Sequence, residues 1–93
     1  MKSLVIAIDL DDTYTAAPEL FDAFVSKAKF LGHRVICVTA RHDNDENREI
    51  ANDIRIPVYF TGRQAKQFYM ETVWNMKVDI WIDDNPAAIL NGV

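Results

Sequence analysis

A chain of 93 residues, 49% hydrophobic and 26% charged, has the balance of one ordinary folded domain spanning residues 1–93, which excludes a disordered or fibrous polymer and a second independent unit. Its net charge of −4 excludes a broad cationic footprint, so nucleic acid is not indicated as a partner. No apolar run nears the roughly 18 residues that cross a bilayer, the start lacks a signal-peptide pattern, and Cys37 stands alone, so a cytoplasmic protein without membrane contact, disulfide or cysteine-rich zinc site is expected.

Residues 4–8 are continuously apolar and stop at Asp9, the pattern of a parallel strand buried on both faces. A polar stretch follows to Ala17. Pro18 suits a first helical turn, and Leu20, Phe21, Phe24, Val25, Ala28 and Leu31 recur at helical spacing until Gly32 closes the helix. Residues 35–38 make a second apolar strand ending at Thr39, with a polar loop to Asn47. Asp43 and Glu46 have capping-box spacing for a helix through Arg55, with Ile50 and Ile54 inward and Pro57 beyond it. Residues 58–60 form a third strand and Thr61-Gly62 a turn. A helix over residues 64–76 should turn Phe68, Tyr69, Thr72, Val73 and Met76 inward. Residues 78–82 are the fourth strand, ending at Asp83-Asp84, after which Asn85-Pro86 has the pattern of cap and first position of a terminal helix.

Strands alternating with helices imply right-handed crossovers and a three-layer α/β/α sandwich around a parallel sheet of about four strands. Ligands of such sheets sit beyond the carboxyl ends of the strands. Standing there are Asp9 with Asp11, Thr39, and Asp83 with Asp84. Their mutual repulsion calls for a cation, and hard oxygen donors without Cys or His clusters favour Mg2+, whose usual company is phosphate. A carboxylate can attack phosphorus and a second can serve as acid and base, while a hydroxyl, an ammonium and the metal neutralise the phosphoryl group.

Leu4-Val5-Ile6-Ala7-Ile8 before Asp9-Leu10-Asp11-Asp12-Thr13, Val35-Ile36-Cys37-Val38 before Thr39, then Lys66, then Val78-Asp79-Ile80-Trp81-Ile82 before Asp83-Asp84 resembles the haloacid dehalogenase (HAD) superfamily in order and over nearly the whole chain. The resemblance implies a HAD-like Rossmannoid with strand order 4-1-2-3 and a Mg2+-dependent phosphatase working through an aspartyl phosphate. It makes Asp9 nucleophile and metal ligand, and Asp11 the general acid/base whose backbone carbonyl also binds metal. Thr39 would hold a phosphoryl oxygen, Lys66 would be the fixed ammonium, and Asp83, ranked above Asp84, would bind Mg2+. Lys66 is chosen over Lys77 because it starts its helix at the active edge. The intervals after the first and third strands leave no room for a cap domain, so the site should be open to a phosphorylated substrate as large as a surface-presented phosphoester.

Other residues carry blander expectations. Asp12, Asp43 and Asp45 suit solvated loops or caps, His33 and the buried Cys37 suit structural roles, and Trp81 suits the core. Arg41, His42 and Arg63 stand at the active edge as substrate contacts or solvated loop residues. Trp74, offset from its helix's inner stripe, is a candidate contact in a homo-oligomer. Two alternatives to the phosphatase are a catalytically silent scaffold of the same fold and a phospho-accepting receiver domain. The receiver carries its phosphorylated Asp on a middle strand, where this chain has Thr39.

Overall fold

The computed structural model describes residues 2–92. It is an α/β fold with four strands, β1 (Val5–Ile8), β2 (Arg34–Thr39), β3 (Val58–Phe60) and β4 (Ile80–Ile82), and four helices, α1 (Pro18–Phe30), α2 (Asp45–Ala51), α3 (Lys66–Val73) and α4 (Ala87–Asn91). All strand pairs are parallel, in the order β3-β2-β1-β4, which read from the opposite edge is 4-1-2-3. Ile8 is level with Cys37 on one side and Ile82 on the other, so Asp9 and Asp83 follow their strands at one height, level with Val38 while β2 runs on to Thr39.

The apolar run of β1 is explained by its two faces. Ile6 and Ile8 enter a cluster with Leu10, Val25, Ala28, Val35, Cys37 and Ile56, while Ala7 joins Ile36, Val38 and Met70 on the other side. Successive strand side chains point to opposite faces, so a run apolar at every position has both faces covered. Residues of α1 serve the first cluster and residues of α3 the second.

Helix α1 follows its sequence signals closely. Pro18 opens it, Glu19 lies in the first turn and Lys27 and Lys29 in the last, each sign suited to the helix dipole. Gly32 takes φ 87°, its N–H donates to Lys29 and the His33 N–H to Ala28, which closes the helix with a Schellman motif. The Leu4 N–H then donates to His33 Nδ1, giving that histidine its expected structural role. Leu20 and Leu31, expected inside, are exposed, because Val25 and Ala28 with flanking Phe21 and Phe24 fill the face toward the sheet.

Boundaries of four elements differ from expectation. The β4 strand begins at Ile80 rather than residue 78, since Asp79 turns its carboxylate back to accept the Val5 N–H at 2.8 Å. Asn44, not Asp43, caps α2: its side chain accepts the Asn47 N–H, Asp43 instead pairs with Arg48, and the helix stops at Ala51 before Asn52 and Asp53. The third helix begins at Lys66, after Arg63 in the left-handed region at φ 72°, and ends before Asn75 at φ 50°. Its buried residues are Lys66 and Met70, one turn apart, and Tyr69, expected inside, is partly buried against the second cluster. Phe68, Thr72 and Val73 face solvent instead of the core. Asn85-Pro86 shifts by one position, with Pro86 as the cap of α4. Trp81 is partly buried and packs on the second cluster, and Trp74 is half exposed in a T-shaped pair with Tyr59.

No helix among the described residues is long and apolar enough to cross a membrane.

Candidate active site

Beyond the carboxyl end of β1 the chain must turn sharply, and Asp12 does so at φ 62°, a left-handed conformation that Asp tolerates better than most residues; its N–H is satisfied by Thr15 Oγ1. A 3-10 turn at Tyr14–Ala16 follows, with the Tyr14 N–H returning to the Asp9 carbonyl. This loop lays the Thr13 side chain back beneath Asp9. Thr13 was quoted in the sequence motif without a role. In the structure it links the two acidic strand ends: its hydroxyl accepts the Asp84 N–H at 3.1 Å and lies 3.2 Å from both Asp9 Oδ2 and Asp84 Oδ1. A hydroxyl has one proton, so it serves only one of those carboxylates at a time.

Lys66 occupies the centre. Placed at the first position of α3, it is 2% exposed and its Nζ donates to Asp9 Oδ1 at 2.8 Å and to Asp83 Oδ2 at 2.6 Å. The Asn85 N–H holds the other oxygen of Asp83. Burial alone would lower the Lys66 pKa, yet the hydrogen bonds to Asp83 and Asp9 outweigh it and hold the pKa above its usual value, so the side chain is an ammonium. Asp9 moves the other way from an ordinary paired carboxyl: burial pushes it up to about 6, more than Lys66 pulls it down.

The helix carrying Lys66 is set from the end of the described chain. Gly92, at φ 77°, packs so closely that a Cβ there would lie 2.9 Å from the Arg63 carbonyl oxygen and 3.1 Å from the nitrogen of Ala65, the residue before Lys66.

Asp11 has a different partner. Arg41, two residues past the end of β2, donates from Nε to Asp11 Oδ2 at 2.9 Å and from Nη2 to Oδ1 at 2.8 Å, which holds the Asp11 carboxyl below the usual range. Nη1 of the same guanidinium donates to Asn47 Oδ1. Sequence patterns left Arg41 between substrate contact and solvated loop; the bidentate partner thirty residues away lies outside any local motif.

Asp9, Asp11, Lys66, Asp83 and Asp84 line one cleft of about 190 Å³, with Ala40 and Ala88 among its walls. Thr39 is 1% exposed and stands behind Ala40, its hydroxyl accepting the Arg41 N–H. Lys77, the lysine set aside, is exposed. The β2–α2 and β3–α3 loops meet above Thr39: the Thr61, Gly62 and Arg63 N–H groups donate to Thr39, Arg41 and Ala40.

The donor set fits a hard divalent cation. Carboxylate oxygens of Asp9, Asp83 and Asp84 lie within 4.8 Å of one another, and Asp84 is exposed enough to admit one. The Lys66 ammonium donates to two of these three carboxyl groups, Asp9 and Asp83. Charge and ligand type both suit Mg2+.

Comparison with known proteins gives no match to a family model, to a curated protein or to a solved structure.

Proposed function

We propose that this chain is a Mg2+-dependent phosphoester hydrolase, a capless HAD-like three-layer sandwich that works through an aspartyl phosphate on Asp9. The observation that carries the reading is the convergence of Asp9, Lys66, Asp83 and Asp84 in one cleft from three separated segments. A buried ammonium between two carboxylates contributes little net stability compared with an apolar filling, so its chemistry is the better explanation of the arrangement.

Asp9 and either or both of Asp83 and Asp84, with the Asp11 carbonyl, would hold Mg2+, which when bound neutralises charge on the phosphoryl oxygens. Asp9 is ionised at neutral pH and attacks phosphorus with one carboxylate oxygen. The P–O bond to the leaving group breaks, and Asp11 gives that oxygen its proton. Water then attacks the phosphorus of the aspartyl phosphate, loses a proton to Asp11 and frees inorganic phosphate, restoring the Asp9 carboxylate. Lys66 keeps Asp9 oriented and meets the phosphoryl charge, while Thr39, buried behind Ala40, acts through the loop whose Arg41 N–H it accepts rather than as a lining of the cleft. The lone, buried Cys37 suits work in the cytoplasm.

The test is hydrolysis of an aryl phosphate with Mg2+ by the wild type and Asp9→Asn. A loss on the order of a thousandfold or more is expected for the variant. Undiminished turnover would remove Asp9 from the nucleophile role, and a wild type that neither hydrolyses phosphoesters nor binds Mg2+ would leave only a scaffold.

A further inference from the structure

Five aspartates and one lysine line the cleft together with Asn85, Ala40 and Ala88. Most of its polar side chains are already engaged. Asp9 and Asp83 share the Lys66 ammonium, and the Asn85 N–H holds the second Asp83 oxygen. Asp11 is held by Arg41, and Asp84 lies 3.2 Å from the Thr13 hydroxyl. Two lining side chains, both on exposed residues, have no hydrogen-bond partner among the described residues: the Asp12 carboxylate and the Asn85 carboxamide. Of these two only Asp12 carries a charge.

On the hydrolase reading, on which this inference rests, the phosphoryl group takes the metal and Lys66, and the leaving oxygen comes within hydrogen-bond reach of Asp11. Asp12 is the next residue and lines the same cleft, its backbone fixed by the left-handed turn at φ 62° and by the bond of its N–H to Thr15 Oγ1 at 3.0 Å. A leaving group beside Asp11 therefore meets an acceptor that nothing else in the fold uses. It meets no cation to match. Lys66 is the one cation of the described lining and is 2% exposed, while Arg41 lies outside the lining with Nε and Nη2 on Asp11 and Nη1 on Asn47. No apolar side chain larger than alanine stands in the walls, so a greasy leaving group gains little there. A bound Mg2+ still leaves the lining negative, since five carboxylates stand against one ammonium. An ammonium is drawn to such a wall and a second anion is repelled.

We infer that the preferred substrate is a phosphomonoester whose leaving alcohol carries an ammonium group, with Asp12 as the specificity-determining residue that receives it. The ammonium brings only donors and the Asp12 carboxylate only acceptors, so the two are complementary in hydrogen bonding as well as charge. Hydrolysis of the P–O bond by water then frees an amino alcohol and inorganic phosphate. The residue that reads the leaving group is thus the chain neighbour of the one that protonates it.

The inference is tested by calorimetric titration, with Mg2+ present at neutral pH, of 3-aminopropylphosphonate, butylphosphonate and 3-carboxypropylphosphonate into the wild type, Asp12→Asn, Asp12→Gly and Asp53→Asn. The ligands are matched in length and differ in the charge of the terminal group. Asn and Gly both accept the left-handed turn, and the exposed Asp53, outside the lining, gives up an equal charge elsewhere. The wild type should rank ammonium over methyl over carboxylate, with roughly tenfold or more between the first two. Both Asp12 variants should bring those two within about threefold of each other while their affinities for butylphosphonate and for Mg2+ alone stay unchanged, and Asp53→Asn should keep the full ranking. The matching phosphate esters should follow the same order in kcat/KM, and that order decides where the phosphonates bind too weakly to rank. Equal treatment of the three by a catalytically active wild type overturns the inference and leaves the hydrolase reading intact. So does a ranking that survives both Asp12 variants or is lost equally in Asp53→Asn. A fall in Mg2+ affinity in the Asp12 variants gives that residue to the metal and also overturns it. The expected ranking in a protein without turnover supports the ammonium site and sinks the hydrolase, and absence of both binding and turnover sinks both.

Discussion

Asp9 and Asp11 are two residues apart, line one cleft and are both paired with a cation, yet their surroundings drive them in opposite directions. Asp9 still belongs to the sheet, with its N–H on the Ile82 carbonyl, and meets a buried ammonium that it shares with Asp83. Asp11, half exposed, stands past the end of the strand and meets a guanidinium of its own that is one-third exposed. Burial raises the first to about 6, and the hydrogen bonds of Arg41 lower the second. The distance travelled from the strand end, rather than the residue type, decides whether a carboxylate is stored under strain or held at ease.

The sharpest way to break this contrast is to remove each cation. Lys66→Met should destabilise the fold by about 3–5 kcal/mol in urea unfolding, since it strands two carboxylates in a site where the pair's side chains are 9% exposed or less. Next in size is a stability difference that vanishes in acid, measured with a chelator present. A folded pKa raised above the unfolded value means stability is greatest below about 3.8 and falls as pH climbs toward about 6, so Asp9→Asn should be more stable than the wild type above pH 6 and lose that advantage in acid. Asp11 is depressed, so its contribution is present above its unfolded pKa and disappears as pH falls through the folded one. Asp11→Asn should therefore be slightly less stable than the wild type at neutral pH, and the two should converge in acid. A variant Asp9→Asn that is less stable than the wild type at pH 7 would show that Lys66 more than repays the burial. Smallest is Arg41→Ala, for which about 0–1 kcal/mol is expected, because both members of its pair are wet. A loss as large as that of Lys66→Met would erase the difference between the two pairs.

Cys37 offers a control on the neighbourhood. Burial pushes its thiol up to about 12, so it should resist a thiol reagent at pH 8 in every folded variant and react only on unfolding. Rapid labelling in Lys66→Met would mean that the site's collapse had reached the first core cluster.

What the sequence made legible followed from periodicity and strand ends. An apolar run of five before Asp9 required a strand covered on both faces, and Pro18 and Gly32 bracketed α1. The gathering of Asp9, Lys66 and Asp83 was also foreseeable, because each was assigned to the same edge of a parallel sheet. The face of α3 was legible only in part, through Tyr69. Hydropathy placed Phe68 and Val73 inward, whereas the helix turns Lys66 and Met70 in, and a charged residue on a buried stripe is invisible to a pattern that looks for apolar ones. The Arg41 fork escaped for another reason: its partner is fixed by the register of two adjacent strands and by two loop conformations, including the left-handed turn at Asp12. Thr13 likewise gained its link to Asp84 only when β4 was laid beside β1.

Gly92 has a consequence that reaches the chemistry. Where a Cβ would crowd the Arg63 carbonyl and the Ala65 nitrogen, any larger residue must push on the turn from which Lys66 enters the cleft. The φ of 77° adds its own resistance to an L side chain. The ammonium that organises the acids is thus registered from two directions, by the helix it begins and by a bare stretch of backbone 26 residues downstream. Tuning the nucleophile then need not involve any residue that touches it: one methyl group at position 92 would act as a shim beneath the lysine.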